Sequence, residues 1–194
     1  MSIKIGIAGP VGSGKTSIIE QLTNILKDTY SLAIVTNDIY TTEDANYLKN
    51  QLDIDANRIA GVETGGCPHT AIRDDISANQ KAVEDLEKEF NPDIIFVESG
   101  GDNLSATFSY ELIDYYMYVI DVAQGADIPR KKGAGLLFSD LLVVNKTDLA
   151  PHVDIDLQSM EEDVKSNRRN KPYLFLSKKN QSISKLQNWI EVLI

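Results

Sequence analysis

Residues 9–16 read GPVGSGKT, and no other run constrains the chain as much. The run fits G-x-x-x-x-G-K-[S/T], directly after the apolar stretch IKIGIA (3–8). Directly after it, Ile18, Ile19, Leu22, Ile25 and Leu26 fall on one helical face. Glycines in such a strand–loop–helix unit let backbone N–H groups turn inward around phosphate oxygens, and the helix N-terminus adds partial positive charge. Gly9, Pro10, Val11, Gly12, Ser13 and Gly14 would form the cradle. Lys15 would reach the β- and γ-phosphates, the Thr16 hydroxyl would ligate Mg²⁺, and Ser17 would follow on the helix. An ordinary Gly-rich turn is the bland alternative, and the flanking strand and helix argue against it.

The rest of the chain repeats that alternation. LAIVTN (32–37), RIAGVE (58–63), IIFVE (94–98), YYMYVIDVA (115–123), LLVVNK (141–146) and YLFLS (173–177) read as strands. Most are near-continuous apolar rather than alternating, as expected where helices cover both sheet faces. Ile72, Ile76, Val83, Leu86 and Phe90 share a helical face in a segment that Pro92 ends, and Ile183, Leu186, Ile190 and Leu193 share another. The expected fold is α/β, a doubly wound, mostly parallel sheet of about seven strands flanked by helices, in a single P-loop NTPase domain over residues 1–194. The charged run EEDVKSNRRNK (161–171) reads as a solvated helix face and its exit.

Composition narrows the setting. With 42% hydrophobic residues the chain can bury a sizeable core, and a net charge of −10 argues against nucleic acid as partner. One cysteine cannot form an intramolecular disulfide, which fits a reducing compartment. No apolar run approaches the ~18 residues of a membrane span, and the start lacks a signal-peptide pattern, so a cytoplasmic protein without a membrane partner is expected.

NKTD at 145–148 follows the strand LLVV, where a parallel sheet binds ligands. The Asp148 carboxylate can accept from guanine N1–H and the exocyclic amine together, a donor pair adenine lacks, so Asn145, Lys146 and Asp148 select GTP. Ser177, ending the next strand, is a further candidate at the base. Asp38, Glu63 and Glu98 each end a strand and so gather at the same sheet edge. Asp38 and Glu98 are candidate catalytic acids beside Lys15, and Asp38 and Glu63 join Thr16 as candidate Mg²⁺ ligands. The competing account makes each a strand-end acid capping the next element.

Cys67 and His69 stand one proline apart in a chain with one cysteine and two histidines. In an extended segment residues i and i+2 point the same way, and a thiolate with a neutral imidazole suits Ni²⁺ or Zn²⁺. On spacing alone, a core cysteine beside a surface histidine is the simpler account.

GPVGSGKT, TNDIYTTEDA, VETGGCPHTAIRDD, FVESGGDNLSATFS, YVIDVAQG with IPRK, and NKTDLAPHV, in this order over residues 1–155, resemble the UreG family of urease accessory GTPases. The resemblance implies a GTP-dependent metallochaperone that delivers nickel to apo-urease together with urease accessory proteins D/H, F and E. It further implies a homodimer dependent on GTP and metal, with Cys67 and His69 of two copies sharing one Ni²⁺, Zn²⁺ being the second candidate. Turnover by the chain alone is expected to be slow. Glu63 and Thr64 lie just before Cys67, so a pull of GTP and Mg²⁺ on Glu63 would move the Cys-Pro-His turn. The rival classes are a nickel-inserting GTPase for hydrogenase, a P-loop small-molecule kinase, and a non-enzymatic metal-binding module stabilised by nucleotide.

Overall fold

The computed structural model describes residues 2–66, 69–101, 107–177 and 183–194. Seven strands run along the chain: β1 (Ile3–Ala8), β2 (Leu32–Asp38), β3 (Ile59–Glu63), β4 (Ile94–Glu98), β5 (Tyr115–Asp121), β6 (Leu141–Asn145) and β7 (Tyr173–Phe175). They form one sheet in the order β3-β2-β4-β1-β5-β6-β7, and every pairing is parallel. Strands β2, β3 and β4 lie on one side of β1, and β5, β6 and β7 on the other. The strand order therefore reverses at β1, where an open parallel sheet leaves a crevice at its C-terminal edge. GPVGSGKT leaves β1 at that crevice.

Alternation along each strand divides the interior into two cores. Ile5, Ile7 and Ile34 face α1 (Lys15–Leu26), α2 (Glu43–Gln51) and α6 (Ile183–Glu191), packing with Ile18, Leu22, Leu48, Leu186 and Ile190. Ala33, Val35, Ile95 and Val97 face the opposite way, onto α3 (Ser77–Phe90), α4 (Ala134–Phe138) and α5 (Leu157–Arg168), through Val83, Leu86, Leu136, Met160 and Val164. Each fully buried aliphatic side chain contributes about 2 kcal/mol relative to exposure, so covering both faces is what keeps so apolar a sheet in register. Among the described residues no helix is long and apolar enough to cross a membrane.

Three expectations shift. The helical face drawn through Ile72, Ile76 and Val83 is broken: Ile72 lies in a π-helical turn, Thr70–Asp74, and α3 begins only at Ser77. The Asp75 carboxylate accepts from the Ser77 hydroxyl at 2.7 Å, a local bond that competes with a continuous helix. β5 stops at Asp121, whose side chain and Gln124 form a capping box on the short 3₁₀ turn Val122–Gln124. The run 161–171 is not wholly solvated, because Arg168 is 2% exposed. Its guanidinium donates to the carbonyls of Leu136 (2.5 Å), Ser139 (3.1 Å) and Pro172 (2.7 Å) and to Ser139 Oγ (2.9 Å). It fastens the end of α4 to the entry of β7.

Arg168→Met should lose about 3 kcal/mol, because the buried carbonyls lose their donors, whereas Ser166→Ala on the exposed face of α5 should stay within about 0.5 kcal/mol. Urea unfolding midpoints of the two variants check this, and equal midpoints would show that Arg168 is not the fastening.

Candidate nucleotide site

The loop between β1 and α1 is pressed against the ends of β5 and β6. Gly9 (φ 152°) leaves no room for a Cβ beside the Val119 carbonyl, and a Cβ on Gly14 (φ 94°) would stand 2.5 Å from Asn145 Nδ2. Asn145 Nδ2 donates to the Ser13 carbonyl at 2.9 Å. Lys146 sits in the left-handed region (φ 56°), which swings its side chain back under the loop. Its Nζ donates to the Gly12 carbonyl and pairs with Asp121 Oδ2 at 2.7 Å. Asn145 and Lys146, read from the sequence as base contacts, thus also lock the phosphate loop to the far half of the sheet. Asp121, which does this with them, went unassigned in the sequence, although it ends a strand just as Asp38 and Glu98 do.

Two cavities adjoin at this loop and share Gly14, Ser17 and Lys146 in their walls. The first, about 280 Å³, has apolar walls from Ile18, Leu149 and Leu176 and a polar corner made by Asp148 and Ser177. Ser177 Oγ donates to Asp148 Oδ1 at 3.2 Å, which orients the carboxylate. A flat ring with donors on one edge fits these walls. The second, about 480 Å³, is lined by Val11, Gly12, Lys15, Thr16, Asp38, Asp44 and Gly100. Lys15 Nζ donates to the Pro10 carbonyl at 3.3 Å, within the loop.

Acidic groups close the floor of the second cavity. Thr16 Oγ1 lies 2.6 Å from Glu98 Oε1 and 3.4 Å from Asp44 Oδ1. Glu98 is 1% exposed, and its Oε2 has no hydrogen-bond partner. Burial pushes the Glu98 carboxyl up to about 7; the Lys15 charge opposes this, Asp44 adds to it, the Thr16 bond opposes it and Asp38 adds to it. Asp38 Oδ1 accepts from the Ile39 N–H at 2.8 Å, and Oδ2 accepts from Thr41 Oγ1. Asp44, absent from the sequence reading, enters from α2, whose only buried residues are Ala45 and Leu48, too few for a clear helical period.

The structure therefore brings together Lys15, Thr16, Asp38 and Glu98, with Asp148 and Ser177 at the other end. Glu63 is not brought in: it is the exposed register partner of Asp38 and does not line the cavity. Cys67 lies outside the described residues; His69 is half-buried and stands at the residue before the π-helical turn, without a side-chain capping bond. Among the described residues no three His, Cys, Asp or Glu converge as a metal-binding group. The Thr16 hydroxyl with the Asp38 and Asp44 carboxylates, all three in the cavity wall, is instead a sparse hard-oxygen set. That set fits Mg²⁺, which keeps most of its shell as water and phosphate oxygens.

Comparison with known proteins agrees with a nucleotide-binding domain of this fold. The family described as CobW/HypB/UreG, nucleotide-binding domain, matches residues 3–175. The urease accessory protein UreG of Aliarcobacter butzleri is 80% identical, with all of both chains covered. That of Lysinibacillus sphaericus is 59% identical over 97% of this chain and 91% of its own. Among solved structures, HypB from Helicobacter pylori in complex with nickel superposes with TM-score 0.80 at 21% identity, covering 98% of this chain and 86% of that one.

The raised Glu98 carboxyl sets a pH dependence for the nucleotide-free protein. Between the ordinary 4.5 and about 7 the folded chain holds a proton that the unfolded chain has released, so stability falls as pH rises through this window. The loss from this one group should total about 3 kcal/mol. Urea unfolding from pH 5 to pH 8 should show that slope in the wild type less Glu98→Gln difference, since glutamine keeps the shape without the charge. A difference that does not change with pH would refute the assignment.

Proposed function

Because the chain belongs to the CobW/HypB/UreG family of nucleotide-binding domains, and within it to the UreG urease accessory proteins, we propose that it is a GTP-hydrolysing metallochaperone delivering nickel to apo-urease. The observation that carries the nucleotide half is the placement of Asp148, fixed by Ser177, in an apolar-walled cavity that opens onto the phosphate loop. Gly9 to Ser17 hold the phosphates, Lys15 meets the β- and γ-oxygens, and Asn145, Lys146, Asp148 and Ser177 hold the base end. Mg²⁺, when bound, neutralises charge building on the phosphates; Thr16 and Asp38 are its proposed ligands, with Asp44 beside them. Glu98 holds Thr16 in place and, with Asp38, positions water. No residue of this set supplies an arginine finger, so turnover by the chain alone is slow, on the order of 10⁻³ s⁻¹ or below, and rises in the accessory complex.

Nickel is the cargo. Cys67 and His69 offer two soft donors, whereas a square-planar ion needs four, so a second copy supplies the rest across a twofold axis. Accessory proteins D/H, F and E and apo-urease are the proposed partners, in the cytoplasm. Nucleotide state reaches the metal segment through the exit of β3. The Thr64 N–H donates to the Asp38 carbonyl at 2.9 Å and the Gly65 N–H to the Ile39 carbonyl at 3.0 Å. Any rearrangement of Asp38–Ile39 around Mg²⁺ and phosphate therefore shifts the residues leading to Cys67. The main chain of this exit, rather than the Glu63 side chain, carries the movement.

GTP should be preferred over ATP, and Asp148→Asn should lose GTP and gain xanthosine triphosphate, whose 2-oxo group accepts from the new amide. Equilibrium titration with the three nucleotides decides; ATP and GTP binding within about threefold would overturn the base assignment.

With Ni²⁺ and GTP the protein should form a homodimer holding one metal, which Cys67→Ala or His69→Ala abolishes while GTP binding is spared. Because thiolate and neutral imidazole are the binding forms, acidification should release the metal. Light scattering after gel filtration, with metal counted in each peak, checks this. A metal-dependent dimer that survives Cys67→Ala would sink the shared site.

A further inference from the structure

Two buried amides fit neither the nucleotide chemistry nor ordinary packing. Asn37, one residue before Asp38 in β2, and Asn79, in the first turn of α3, are both 0% exposed. Their side chains bond reciprocally, Asn37 Nδ2 to Asn79 Oδ1 at 2.8 Å and Asn79 Nδ2 to Asn37 Oδ1 at 2.7 Å. Each spends its second N–H on a main-chain carbonyl, Asn37 on Glu98 at 2.9 Å and Asn79 on Ala71 at 2.9 Å. Both amide N–H pairs are thus consumed, and the two carbonyl acceptors fix which way each amide faces.

Burying two amides costs free energy unless every bond is made, and aliphatic side chains would fill the same space between α3 and the sheet. What the pair adds is connection. One end holds the main chain of Glu98, whose carboxyl touches Thr16. The other holds Ala71, two residues beyond His69, inside the π-helical turn. A short, fully satisfied network in a low-dielectric interior has few ways to rearrange, so displacement at one end is passed on rather than absorbed.

We infer that Asn37 and Asn79 form the internal coupling between the nucleotide site and the His69–Asp74 turn, with Asn79 as the positioning residue that transmits the change. This rests on the proposed nucleotide control of the metal segment, and it adds a second route to the Asp38–Thr64 main-chain contact. The first route enters that segment from the Thr64 side. The amide route enters from the Ala71 side, so the segment is held at both ends.

Hydrogen exchange of the full chain tests the inference, with Mg²⁺ and either a non-hydrolysable GTP analogue or GDP and no nickel added. In the wild type, exchange in residues 38–44 and in 69–75 should both depend on which nucleotide is bound. In Asn79→Leu, which keeps the shape, the dependence in 38–44 should persist, while in 69–75 the ratio between nucleotides should fall to about one. Asn79→Ser, smaller and still polar, should give the same pattern and guards against a variant that fails to fold. A purely structural role predicts faster exchange of 69–75 in both nucleotide states with the ratio unchanged, and that result overturns the inference. A wild-type 69–75 segment indifferent to nucleotide overturns nucleotide control itself, and the amide coupling with it.

Discussion

The whole site depends on one clamp, the Lys146 ammonium held between Asp121 Oδ2 and the Gly12 carbonyl. A phosphate loop rich in glycine is soft, and its backbone donors bind an anion well only if they already point the right way. Lys146 provides that rigidity from outside the loop, assisted by Asn145 on the Ser13 carbonyl. Because Asp148 follows two residues later, the same clamp sets the distance between the phosphate end and the base end. The Lys146–Asp121 pair is half-buried to buried, so breaking it would strand a desolvated Asp121 charge beside the loop.

Asp38, Asp44 and Glu98 lie on the opposite half of the sheet from that clamp. Asp38 and Glu98 end neighbouring strands, and Asp44 comes in from α2. Their mutual repulsion and the burial of Glu98 leave the pocket short of positive charge, with Lys15 bonded to its own loop. Under the proposed function, a bound Mg²⁺–nucleotide complex would relieve this imbalance. On that reading, binding energy would act on the residues whose main chain touches Thr64 and Gly65 and, through two amides, Ala71. The clamp of Lys146 and the carboxylates of Asp38 and Glu98 are both built around the C-terminal edge of one sheet.

That division also explains the π-helical turn. Ile72 is fully buried and its carbonyl accepts from the Ser109 N–H, so the turn is anchored on its apolar side. On its other side the Ala71 carbonyl accepts from Asn79, whose side chain bonds Asn37 in β2. An irregular helical turn of this kind stores a local alternative geometry more readily than a regular helix does.

The strands and GPVGSGKT were legible because their signals are local: a continuous apolar run needs cover on both faces, and the glycine spacing needs no knowledge of what lies opposite. Asp38, Glu98 and Asp148 were legible for a related reason, since position at a parallel strand's C-terminal end already places a side chain at the ligand edge. The sequence by itself therefore determined the fold class, the glycine-rich loop after β1, and the placement of Asp38 and Glu98 at strand ends. Tertiary structure alone decided the contacts between distant segments. Arg168 reads as one more charge in a charged run, and it takes the carbonyls of Leu136 and Ser139, 32 and 29 residues away, to help draw it inside. Glu63 satisfies the same strand-end rule as Asp38, but β3 is the edge strand, and its last side chain is left in solvent beside the cavity instead of within it. Periodicity cannot see Asp44, Asp121 or the Asn37–Asn79 pair, because a buried polar group is stabilised by a partner's position in space and carries no period of its own.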